Sequence, residues 1–103
     1  MSTAIGTGSI SDQLNAVAIT LRECPSLAAV EGRLSRITSS LDGLAERITG
    51  CRRRGGVPIG VTPALKWLNQ VVRELPALDG PEGEPIRGEL QALVSRLRLL
   101  AGR

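Results

Sequence analysis

The chain has 103 residues, a net charge of +3 and 42% hydrophobic residues, values of a single folded domain rather than of a disordered or collagen-like sequence. Trp67 is the one aromatic residue, and Phe, Tyr and His do not occur. An apolar set of Leu, Val, Ile and Ala offers a thin core against the entropy lost on folding, so help from oligomerisation is expected, while imidazole-based acid–base chemistry and metal ligation are excluded.

Residues 1–8 are small and polar, with Gly6 and Gly8, and read as a flexible arm. They carry no basic n-region and no long apolar run, so neither a secretory signal nor a transmembrane span is expected. The expected location is the cytoplasm, or a virion if the chain is of phage origin.

The first helix is expected to open at Ser9, with Asp12 at capping-box spacing, and to run to about Glu23. Its stripe is Ile10, Leu14, Val17, Leu21 and Cys24. Pro25 then breaks the helix, because it removes a donor and disfavours helical backbone at Cys24. With Ser26 as N-cap, a second helix carries Leu27, Val30, Leu34, Ile37, Leu41, Leu44, Ile48 and Cys51, spaced 3, 4, 3, 4, 3, 4, 3. That pattern is a coiled-coil-type seam.

The heptad phase slips by one residue across Pro25, which fits either a tight helical hairpin or one kinked helix, and the short connection favours the hairpin. In the hairpin, Cys24 and Cys51 lie at opposite ends of the second helix, roughly 35 Å apart at about 1.5 Å per residue, too far for a disulfide. Both cysteines read as small apolar seam residues, and neither has a metal-ligand cluster beside it.

Residues 52–61, RRRGGVPIGV, form a basic, glycine-rich linker between a hairpin at 9–51 and a second helical pair at 62–103. A third helix is expected to begin with Thr62 as N-cap and Pro63 at the first helical position, with a stripe of Val61, Leu65, Leu68, Val72 and Leu75, and to stop at Pro76. After a Pro/Gly/acidic stretch at 77–85, a fourth helix carries Ile86, Leu90, Leu93, Leu97 and Leu100. No segment alternates like a strand. The expected fold class is all-α: helical hairpins or a small four-helix bundle with heptad seams, completed by oligomerisation.

The functional expectation is binding rather than catalysis. The second helix outruns each neighbour by about three turns, which leaves part of its seam for a copy of the chain or another subunit. Trp67, with Val71 one turn along, widens the third helix's apolar face and is a candidate partner anchor. Arg52, Arg53 and Arg54 could meet an anionic partner, although basic groups at a helix C-terminus also complement its dipole. No groove-reading motif accompanies them, and specific nucleic-acid binding is not expected.

The basic amphipathic tail of the fourth helix lacks interfacial aromatics, and membrane binding is not expected either. Glu82, Glu84 and Glu89 read as solvated acids near a helix start, and neither a phosphate-binding loop nor a dinucleotide fingerprint occurs, so no enzyme and no cofactor are expected. The reading is a structural subunit of a larger assembly. A phage virion or head-associated protein would suit the bias that makes all but one of the 13 basic residues Arg. The alternative is a small regulatory adaptor or nucleic-acid-associated protein using Arg52, Arg53 and Arg54.

Overall fold

A computed structural model describes residues 9–102; the arm expected at 1–8 lies outside the described residues. Among the described residues there is no strand: the elements are α1 (Ile10–Arg22), α2 (Leu27–Arg53), α3 (Val61–Glu74) and α4 (Glu84–Ala101), with a 3₁₀ turn, Pro76–Leu78, between the last two. The all-α expectation is met. None of these helices is long and apolar enough to cross a membrane.

Two starts follow from local chemistry as expected. The Ser9 hydroxyl accepts from the Asp12 amide at 3.1 Å, and Ser26 accepts from the Ala29 amide at 3.3 Å, each satisfying an amide the first turn leaves open. The third start differs. Val61 is already helical and buried, Gly60 precedes the helix without a side-chain cap, and Thr62 is exposed. Burying Val61 is worth about 1.5–3 kcal/mol, more than the ~1 kcal/mol of a typical cap, so the helix begins where Val61 can reach the core.

α2 extends through Arg53, two residues past the expected end. It closes with a Schellman motif: the Gly56 amide donates to the Cys51 carbonyl at 3.0 Å and the Gly55 amide to the Arg52 carbonyl at 3.3 Å. Gly55 holds φ 126°, where a Cβ is strained, so the glycine after the three arginines is a conformational requirement.

Helix directions follow from which ends meet. Ser11 lies against Gly60 at the start of α3, and Arg22 lines a cleft with Glu74 and Pro76 at its end, so α1 and α3 run the same way. Arg87, near the start of α4, bonds to carbonyls at the end of α3, so α4 runs back. Arg52 and Ala101 line one hollow at the ends of α2 and α4, which makes that pair parallel. α1 and α2 therefore reverse about Pro25, as a hairpin rather than a kinked helix.

The packing is interleaved. α1 lies mainly on α3, α2 on α4, and α3 on α4, while α1 and α2 touch more sparingly. Neither α2 with α3 nor α1 with α4 forms a packed pair among the described residues. Because α2 and α3 are diagonal to one another, the connection between them must cross one end of the molecule, and that accounts for its length. The molecule measures 42 × 33 × 20 Å. Its longest dimension matches the about 40 Å of α2, and its shortest matches two layers of helices about 10 Å thick.

The core is aliphatic throughout, with Leu14, Leu21, Leu41, Leu44, Ile48, Leu65, Leu68, Leu90 and Leu97 fully buried. Among the described residues no polar or charged side chain is buried, and no enclosed side-chain nitrogen or oxygen lacks a partner. The 77–85 stretch contributes more than a connection. Leu78, the last residue of the 3₁₀ turn, and Leu75 just before the turn are buried against the helices, closing the end of the bundle opposite the linker.

Candidate functional site

The seam on α2 is mostly occupied from within. Val30, Ile37, Leu41, Leu44 and Ile48 are buried inside the single chain, joined by Ala45; Leu27, Leu34 and Cys51 are half-buried. The excess length of α2 over any one neighbour does not leave it uncovered, because α4, α1 and the 3₁₀ turn divide its face between them. These half-buried residues do not form one edge: Leu27 and Leu34 lie near the start of α2, and Cys51 lies near its end. Both cysteines are free, and Cys24 is buried at the α1–α2 turn with its thiol 3.2 Å from the Thr20 carbonyl.

Trp67 is half-buried and Val71 buried, and both line an open cleft between α1 and the end of α3, about 340 Å³, bordered by Arg22, Gln70 and Glu74. The indole packs against the core edge and shows its remaining surface to this cleft.

Arg52, Arg53 and Arg54 are exposed at the end of α2, with Arg54 folded back so that its guanidinium lies 3.9 Å from the Cys51 sulfur. The fold gathers other groups around them. A groove of about 600 Å³ runs between the start of α3 and the end of α4, with Leu65 and Leu99 as apolar lining and Lys66 and Arg98 as basic lining. A hollow of about 330 Å³ formed by Arg52, Pro58 and Ile59 adjoins it, and both share Thr62 and Ala101.

Ile59 is 93% exposed and Leu99 73% exposed, the two most exposed large aliphatic side chains of the described residues. The sequence holds no Asp or Glu from residue 47 to 73 or after Glu89, so this end of the molecule is predominantly basic. Sequence reasoning found the arginines but not the aliphatic pair. Ile59 reads as one more linker residue and Leu99 as part of a leucine-rich turn, and only the fold brings them to one end.

The opposite end is rich in acids, although exposed Arg22 and Arg73 also lie there. Glu74, Asp79, Glu82, Glu84 and Glu89 are all exposed within residues 74–89. The single basic residue of that stretch, Arg87, is turned inward: its guanidinium donates to the Val72 carbonyl at 3.2 Å, the Leu75 carbonyl at 2.6 Å and the Asp79 carboxylate at 3.2 Å. It satisfies the Val72 carbonyl that α3 leaves open at its C-terminus, shares the Leu75 carbonyl with the Leu78 amide, and so ties the end of α3 to the 3₁₀ turn. Between these acids, Pro76, Pro81 and Pro85 are exposed.

No protein-family model, characterised protein or solved structure matches the chain.

Proposed function

We propose that the chain is a non-enzymatic structural subunit that works by associating with copies of itself or with other subunits of an assembly. The observation that carries this reading is the cluster of Ile59 and Leu99 at one basic-rimmed end of the bundle. Isolated aliphatics on a surface are ordinary, whereas an apolar groove with two strongly exposed aliphatics beside it is the form a contact surface takes. Half-buried Leu27 and Leu34 and the cleft beside Trp67 are secondary places for a partner. A phage head or a comparable shell is one setting that would employ such a subunit, on the strength of the arginine bias alone.

Native mass measured by light scattering at two concentrations tests the proposal. A discrete oligomer, or a mass that grows with concentration, is the expected result; a monomer of full helicity at both concentrations overturns self-association.

A second reading has its own support in the three exposed arginines on a stretch without acids: an adaptor that holds a polyanion such as nucleic acid. Retention on DNA that falls steeply with salt and is lost when Arg52, Arg53 and Arg54 become Ser is its expected signature. Retention unchanged by that substitution overturns it.

A further inference from the structure

From the charge and shape of the two ends, we infer that the basic apolar groove is the socket for the acidic proline loop of a second copy, so that copies join head to tail. The inference rests on the self-association proposed above and specifies its geometry. Complementarity is present on both counts. The socket offers Leu99 and Ile59 with Lys66, Arg98 and Arg52 around them. The loop and the first turn of α4 offer Pro81 and Pro85 as rigid apolar knobs flanking Glu82 and Glu84, all exposed.

The two surfaces lie at opposite ends of α3, about 20 Å apart for 14 residues, so one molecule cannot close the contact on itself. Such a contact uses different patches on the two copies. It is heterologous and leaves a free socket and a free loop on every dimer, so growth continues unless the rotation closes a ring. Steering by opposite charges in solvent makes the association salt-sensitive, and the aliphatic contacts make it persist.

The experiment uses two variants of the full chain, each checked for helicity by circular dichroism. Ile59→Asp with Leu99→Asp disables the socket at side chains that pack on little else; Glu82→Lys with Glu84→Lys reverses the loop, and the neutral pair E82Q/E84Q serves should lysine at the start of α4 disturb the fold. By sedimentation velocity, the unaltered chain is expected to grow in mass with concentration and to shrink when salt rises from 50 to about 500 mM. Each variant alone is expected to be monomeric, with association weakened at least about tenfold. An equimolar mixture of the socket variant with E82Q/E84Q, whose neutral loop does not attract the introduced aspartates, is expected to stop at dimers, because the only productive contact left joins the intact socket of one variant to the intact loop of the other.

A symmetric dimer that survives the loop variant unchanged overturns the head-to-tail geometry while leaving self-association standing. A monomer at every concentration overturns both. A monomer that instead floats with phosphatidylserine vesicles, and loses that with the Ile59 and Leu99 changes, reassigns the socket to an anionic lipid surface and overturns the inference.

Discussion

At the residue scale, the most consequential side chain is one whose role depends on sequence-distant partners. Arg87 lies 15 positions from Val72 and 12 from Leu75, yet it holds both of their carbonyls. Hydrogen bonds to a charged group contribute about 1.5–3 kcal/mol, so Arg87→Ala is expected to lower unfolding free energy by at least that in urea denaturation. Arg87→Lys is expected to recover little of it, because one ammonium cannot present the planar fork that reaches both carbonyls and Asp79. Gly83 is a second such position. A Cβ there would fall on the Leu78 carbonyl, so Gly83→Ala is expected to lower the melting temperature markedly. Gly55→Ala meets no neighbour but strains φ 126°, and is expected to cost about 1 kcal/mol.

At the element scale, the spacing along α2 was legible in the sequence, and so were the caps at Ser9 and Ser26, because each depends on residues within a turn of one another. The identity of the seam's partner was not. A heptad stripe records that a face is apolar, not which helix covers it, and here three elements share the task. The start of α3 and the 3₁₀ turn escaped sequence reasoning for a related reason: Val61 and Leu78 take their places because the core receives them, against the local signals of Thr62 and of a Pro/Gly/acidic stretch. The internal seam makes a prediction that separates core from interface. Leu41→Ala and Leu44→Ala are expected to destabilise the folded chain itself by about 2–5 kcal/mol in denaturant titration, whereas Leu34→Ala, at a half-buried position, is expected to cost clearly less. The cysteines report on the same helix: a maleimide probe is expected to label half-buried Cys51 before Cys24, which is 6% exposed.

At the scale of the whole molecule, the acidic run and the basic groove lie at opposite ends. The acidic run at 74–89 could be read in the sequence, as could the acid-free stretch at 47–73, but their opposition needed the direction of α3. The aliphatic pair at the basic end was likewise scattered in sequence, with Ile59 and Leu99 forty positions apart, and it became visible only as a surface. The interleaved order of the helices has a consequence of another kind. Since α1 rests on α3 and α2 on α4, the residues before the linker and those after it are halves of one core rather than two cores. A protease inserted at the exposed Gly55–Gly56 bond would sever the backbone without separating the pieces. The nicked chain is expected to elute as a single species in native size exclusion and to split only in denaturant, and each fragment made alone is expected to be largely unfolded until it meets the other.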